Sequence, residues 1–175
     1  AIVINSYYSG DATAMYNNWY VGQAGNNFSG GALVGPGLLF DTDRFYVVFV
    51  DALGLWGASK PSDGLGRKFP VYSYYDVVQL NYRLLRDHLK IGHVLLATGA
   101  SMGGTQAYYW GLMPPGFVDA IMPIGGATAS GALWPAIDSG LASCSRVAAT
   151  RRPSGAVNAK RSSAGLPSKS SFVTV

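Results

Sequence analysis

Glutamate is absent from this chain, cysteine occurs once, at Cys144, and histidine only twice, at His88 and His93. A single thiol closes no internal disulfide, and without a second cysteine there is no CxxC pair or cysteine-rich zinc site. The redox compartment is left open. Long apolar runs are also missing: the longest, Phe45–Val50 and Val94–Ala97, fall far short of the roughly 18 residues of a membrane-spanning helix. No membrane partner is expected, and no signal-peptide pattern opens the chain.

What the chain does have is apolar content, 49% over 175 residues, enough for one packed domain. The formal charge of +4 invites a nucleic-acid reading, but the charge is unevenly placed. Residues 1–127 carry seven Lys/Arg against eight Asp, whereas residues 128–175 carry six against one. The body is nearly neutral, so no nucleic acid is expected on it. The basic residues of the tail (Arg146, Arg151, Arg152, Lys160, Arg161 and Lys169) are dispersed without aromatic interleaving, at most a loose electrostatic patch.

Composition changes at the same boundary. Of the 48 residues from Thr128 to Val175, 26 are Ser, Ala, Gly or Pro, and only Trp134 and Phe172 of the 22 aromatics fall there. A segment with so little to bury is expected to be flexible or loosely attached. The reading is therefore a core over 1–127 and a Ser/Ala/Arg-rich tail over 128–175.

Within the core, Ala1–Ile4 is an apolar β-branched run that Asn5-Ser6 and Ser9-Gly10 break, the pattern of a buried strand and its exit loop. A Gly/Asn-rich stretch follows to about Gly37. Phe45–Val50 predicts a second strand, and Gly57–Tyr72 reads as loop from its turn residues. Ser73-Tyr74-Tyr75-Asp76 has the form of a capping box with Asp in place of Glu, and Val77, Val78, Leu85 and Leu89 recur at helical spacing, predicting a helix over about 74–91. A third strand over 93–98, a second helix from Ser101 to about Leu112 and a fourth strand over 118–124 complete the series. Continuous apolar strands separated by helices or long crossovers argue for an α/β fold: a mostly parallel sheet with helices on both faces.

Between the third strand and second helix lies Gly99-Ala100-Ser101-Met102-Gly103, a G-x-S-x-G match. With 23 Gly and 17 Ser in the chain, chance supplies roughly 0.3 such matches, so only the strand before it and the helix after it give it weight. A sharp strand-to-helix turn strains the backbone of the serine and leaves room only for small neighbours, which Gly99 and Gly103 provide. Ser101 is then raised above the carboxyl edge of the sheet as a nucleophile. Met102 N–H, at a helix N-terminus, is placed to stabilise an oxyanion, and a second donor is expected from the loop around Tyr7 and Tyr8. The plain alternative is a glycine-rich turn that serves only close helix packing.

These residues, together with Ala1–Gly10, Val34-Gly35-Pro36-Gly37, Phe40–Val48, Leu53-Gly54, Ser59-Lys60-Pro61-Ser62, Phe69-Pro70, Asp76-Val77-Val78, Asp87-His88-Leu89, Gly104 and Met122-Pro123-Ile124, resemble the α/β-hydrolase branch of homoserine O-acetyltransferases and related esterases. The likeness covers residues 1 to about 127, and its serial order is far more specific than the elbow alone. It implies an acyl-enzyme mechanism on Ser101, with the amides of Met102 and Tyr8 as oxyanion hole. No metal and no organic cofactor are implied. The four strands correspond to the third to sixth of the family's eight, so the fold is expected to be truncated at both ends. The residues from Thr128 onward show no such likeness, and their bias suits a shifted reading frame or an unrelated extension, which the coding DNA in three frames would distinguish.

That family places its acid and its histidine after the last two strands, which this chain is expected to lack. His93 is a poor substitute, since eight extended residues at about 3.3 Å put it roughly 26 Å from Ser101. His88, in the last turn of the preceding helix, ends at the same far edge and reads as a dipole partner. Asp51 lies on the correct edge but reads as a turn former, Asp138 has no motif around it, and Tyr7, Tyr8 and Trp56 are either acyl-pocket lining or simple packing. Three readings follow. One is an esterase acting on a small-molecule ester or acyl donor, with a base from outside the visible chain. A homoserine O-acetyltransferase-like acyltransferase is the second, and a catalytically silent fragment of such an enzyme is the third. A homo-oligomer or a partner chain that completes the sheet is compatible with each.

Overall fold

The structure, a computed structural model, describes residues 1–17, 32–127 and 173–174. The first apolar run forms β1 (Ile2–Asn5), followed by a single turn of helix, α1 (Ala12–Met15). Two short strands, β2 (Val34–Gly35) and β3 (Phe40–Asp41), pair in parallel with each other, and the second long apolar run forms β4 (Val47–Val50). The loop expected over 57–72 contains two short 3₁₀ turns, at Pro61–Asp63 and Gly66–Lys68. Then come α2 (Tyr74–Arg83), β5 (Val94–Ala100), α3 (Met102–Trp110), β6 (Val118–Ile124) and β7 (Val173–Thr174).

The main sheet has the order β6-β5-β1-β4-β7, and every pairing in it is parallel. β1 lies at its centre, with Asn5 beside Gly99 of β5 on one side and beside Val50 of β4 on the other. Because side chains alternate along a strand, the two faces build separate cores. Val3, Val48, Val50 and Ala97 pack with Val78 of α2, Leu85 of the turn that follows it, and Tyr109 and Trp110 of α3, while Ile2, Ile4, Val47 and Phe49 pack with Ala12, Met15, Val34 and Phe40 from α1 and the β2–β3 pair. Helices thus cover both faces, in a sheet whose strands run parallel as their uninterrupted apolar sequences require.

The capping box forms with aspartate in the usual glutamate position. Ser73 N–H donates to Asp76 Oδ2 at 2.8 Å, and Asp76 N–H donates to Ser73 Oγ at 3.4 Å. Asp76 stands at the third helical position, the place that glutamate takes in the usual box, and its shorter side chain still reaches the cap amide. The helix expected to about residue 91 is α-helical only to Arg83; a wider turn, Leu84–His88, closes it with Leu89 N–H donating to Leu84 O at 2.9 Å. That turn places Leu85 wholly inside the core, and Lys90 then reverses the chain at φ 57°. Of the segment 128–175, only β7 is described, where Val173 and Thr174 pair with Val48 and Phe49. The remainder of the expected loose tail, with Asp138, Cys144 and its basic residues, lies outside the described residues, as does most of the Gly/Asn-rich stretch after α1.

Candidate active site

Ser101 occupies the one-residue junction between β5 and α3. Its backbone stands at φ 54° and ψ −118°, and the residue is exposed. A side-chain-bearing residue in this region carries about 1–3 kcal/mol of strain and persists only where its surroundings impose it. Two hydrogen bonds do so: Ser101 N–H donates to Ile124 O of β6 at 2.8 Å, and Ser101 O accepts from Thr105 N–H at 3.1 Å. The side chain of Ser101 makes no capping bond to its own helix, so the hydroxyl is not spent on the backbone.

The flanking glycines are demanded by space rather than by φ. A Cβ on Gly103 would lie 2.3 Å from the carbonyl oxygen of Asn5, and one on Gly99 would lie 2.7 Å from the backbone of Gly103 and 2.8 Å from Asn5 O. On the other side, a Cβ on Gly104 would lie 2.7 Å from Ile124 O. The first turn of α3 is thus wedged between the carboxyl ends of β1 and β6, at the point where β5 delivers Ser101.

Met102 is the first residue of α3, so its N–H has no acceptor within the helix and sits at the positive end of the helix dipole. Tyr8 follows β1 by three residues, on the strand that neighbours β5. Met102 and Tyr8 line the same cleft, about 240 Å³ in volume, with Leu53, Leu55, Tyr72 and Val77 among the other walls. The Tyr8 carbonyl accepts from Trp56 Nε1 at 2.7 Å. Of the three aromatics weighed for an acyl pocket, only Tyr8 lines the cleft among the described residues. Trp56 acts on it at one remove, and Tyr7 turns away to pack against the α1-side core, its ring filling the space where Gly10 lacks a Cβ.

Below the cleft lies a buried polar network that the apolar pattern did not announce. Asn5, expected to break the strand, is instead its last residue and fully buried: Nδ2 donates to Thr98 O at 2.8 Å, and Oδ1 accepts from Trp110 Nε1 at 2.8 Å. Ser6 Oγ accepts from Ala52 N–H at 3.1 Å, and Ser6 O accepts from Gln106 Nε2 at 3.0 Å. The sequence signal was present in the spacing, since Gly103, Gln106, Ala107 and Trp110 recur at helical intervals on the buried stripe of α3. A polar residue on such a stripe needs a partner.

Neither histidine reaches this edge. His93 precedes β5 at the opposite end of the strand from Ser101, and its Nε2 lies 2.9 Å from Asp119 Oδ1. His88 is exposed in the turn that leads back to that same end. Asp51 does lie on the carboxyl edge, directly after β4, but it is 8% exposed and committed: Oδ1 accepts Ala12 N–H at 2.7 Å, and its carbonyl accepts from Asn81 Nδ2 at 3.3 Å. Burial pushes its carboxyl above the ordinary aspartate range, the Ala12 amide opposes that shift, and the nearby Asp11 adds to it. The turn-forming role expected of Asp51 becomes a cap on α1. Among the described residues no group of three or more His, Cys, Asp or Glu side chains is arranged to hold a metal ion, and no helix is long and apolar enough to cross a membrane.

Comparison with known proteins bears on this geometry. A family model described as alpha/beta hydrolase fold matches residues 21–148, a span that runs past residue 127 into the segment set apart above by composition. The homoserine O-acetyltransferase of Carboxydothermus hydrogenoformans is 38% identical over 100 residues, which are 53% of this chain and 26% of that protein. The serine O-succinyltransferase of Emericella nidulans is 35% identical over 105 residues, 55% of this chain and 20% of the relative. Among solved structures, the acetyl esterase MekB superposes with a TM-score of 0.59 at 26% identity, over 72% of this chain and 34% of the esterase. The chain therefore spans about a quarter of the length of the curated transferases it matches.

Proposed function

The chain belongs to the alpha/beta hydrolase fold family, and on that premise we propose that Ser101 is the nucleophile of a carboxylic-ester hydrolase working through an acyl-enzyme. The observation that carries the reading is the backbone of Ser101, held at a costly φ of 54° and exposed above the carboxyl edge of the sheet. In the proposed cycle the serine oxygen attacks the ester carbonyl while its proton passes to a base. The carbonyl electrons move onto oxygen and are stabilised by the Met102 and Tyr8 amides. Collapse of that intermediate expels the alcohol, which takes up the proton, and a water molecule then releases the acid by the same two steps. The base comes from outside the described residues, since both histidines of the chain stand at the other end of the sheet.

Hydrolysis is favoured over transfer to an amino-acid hydroxyl by the lining of the cleft. Its described walls are Tyr8, Ala52, Leu53, Leu55, Tyr72, Ser73, Tyr74, Val77 and Met102, with no cation to hold a carboxylate. The second reading, acyl transfer to homoserine or a related acceptor, draws on the names of the transferases at 38% and 35% identity. Labelling with a fluorophosphonate tests the nucleophile: Ser101→Ala abolishes labelling if the proposal holds, and labelling that survives it overturns the proposal. Measuring the products of p-nitrophenyl acetate cleavage with and without homoserine separates the two readings. Free acetate in both cases supports hydrolysis, and O-acetylhomoserine supports transfer.

A further inference from the structure

We infer that Gln106 is a positioning residue for the proposed reaction, one that sets the Tyr8 amide against the Met102 amide by holding the carbonyl of Ser6. The inference rests on the assignment of Ser101 given above. Gln106 is fully buried, and its Nε2 donates to Ser6 O at 3.0 Å. A carbonyl only accepts, so the amide has to present its NH₂ group to Ser6. Its Oε1 is thereby turned into the interior, where no donor meets it among the described residues. As a core residue, this is a poor choice. Methionine would fill much the same volume without an orphaned acceptor, and a buried polar atom left unpaired is a standing cost. What glutamine supplies and methionine does not is the hydrogen bond to Ser6.

Among the described residues, three hydrogen bonds hold Ser6. Its N–H donates to Val50 O at 3.1 Å, and its Oγ accepts from Ala52 N–H at 3.1 Å. Both of these tie it to the exit of β4. The third, from Gln106, ties it to α3, the helix whose first residue provides the other amide. Tyr8 lies two residues further on, and a hydrogen bond from Trp56 Nε1 to its carbonyl lies at the surface. Gln106 is therefore a hydrogen-bonded link between the two halves of the oxyanion site, one residue nearer to Tyr8 than the bond from Trp110 to Asn5. An oxyanion donor acts through its distance to an atom that carries full charge only in the transition state, so a slight displacement lowers kcat and leaves ground-state binding alone.

Three variants of the full chain test this: Gln106→Met, Gln106→Glu and Ser101→Ala. For Gln106→Met the expected result is a fall in kcat of about tenfold to a hundredfold with KM within about twofold of the parent, and faster hydrogen exchange at the Tyr7 and Tyr8 amides. Glutamate at this site, desolvated and so protonated well above the ordinary carboxylate range, still offers an O–H to Ser6. Gln106→Glu should thus keep most of the activity at about pH 6 and lose it toward about pH 9, a drop the parent does not show; this arm stands even if the methionine variant fails to fold. Parental kcat in Gln106→Met, unchanged exchange at Tyr7 and Tyr8, or a flat pH profile in Gln106→Glu overturns the inference. Reactivity that survives Ser101→Ala instead overturns the assignment of the nucleophile, and the exchange measurement then still decides by itself whether Gln106 holds the loop.

Discussion

At the scale of single residues, the site depends on conformations that side chains resist. Ser101 sits where glycine is at ease, so replacing it with glycine removes strain as well as the hydroxyl, whereas alanine removes only the hydroxyl. Ser101→Gly is therefore expected to be more stable than Ser101→Ala by about 1 kcal/mol, less the entropy that glycine adds to the unfolded chain; the midpoints of urea unfolding read the difference. Asp51 gives a prediction in pH. Its carboxyl is raised above the ordinary value of 3.8, mainly by burial, so the folded chain holds that proton more tightly than the unfolded one. Its contribution to stability is accordingly greatest below the unfolded pKa and is lost as pH rises through the folded pKa. Asp51→Asn keeps an oxygen for the Ala12 amide but cannot ionise, and should flatten that part of the curve of unfolding free energy against pH. Asp51 was readable as a residue at the end of a strand, but its burial was not, because the helical turn it caps lies 39 residues earlier in the chain.

At the scale of elements, capping and close approach decide what the segments do. The box at Ser73 and Asp76 starts α2, and Ser73→Ala should lower stability by about 1 kcal/mol, measured by thermal or chemical unfolding. This element was legible in the sequence because every interaction that starts it lies within four residues. The wedge of α3 is a different case. Gly103→Ala would force a methyl group to within 2.3 Å of a backbone oxygen of the central strand, and backbone has no rotamer in which to move aside. A loss of about 1–3 kcal/mol or more is expected, together with loss of fluorophosphonate labelling as the helix start retreats from β1. The G-x-S-x-G pattern pointed to small neighbours in general terms. That Gly99 and Gly103 face Asn5, and Gly104 faces Ile124, follows only from the neighbours β1 and β6 in the folded sheet. Asn5 has the local character of a breaker and is instead the last residue of β1, because its partners Thr98 and Trp110 lie some hundred residues away in sequence.

At the scale of the whole molecule, the five parallel strands put the candidate chemistry at one edge and both histidines at the other. Such a chain, assayed alone, should cleave activated esters only slowly. Oxyanion stabilisation and binding without a working base still exceed water by about 10³ to 10⁴ in comparable triad deletions. Its pH–rate profile should lack an inflection near the ordinary histidine pKa of about 6.5. A clear step there that survives replacement of both His88 and His93, the two histidines of the chain, would show that a group other than histidine titrates at the site. A step abolished by either replacement would instead mean that the sheet places one of those rings near Ser101 after all.

Local pattern alone determined the alternation of strands and helices, the start of α2 and the serine between a strand and a helix, because hydrophobic period, capping and turn chemistry are all short-range properties of the chain. The tertiary structure decided which glycines touch which backbone, that Tyr8 and not Tyr7 or Trp56 borders the cleft with Met102, and that Asn5, Ser6 and Gln106 form one buried network. These are contacts between strands adjacent in space and distant in sequence. No local rule contains them, because the free energy that selects them arises only when the sheet closes and its polar groups must find partners away from water.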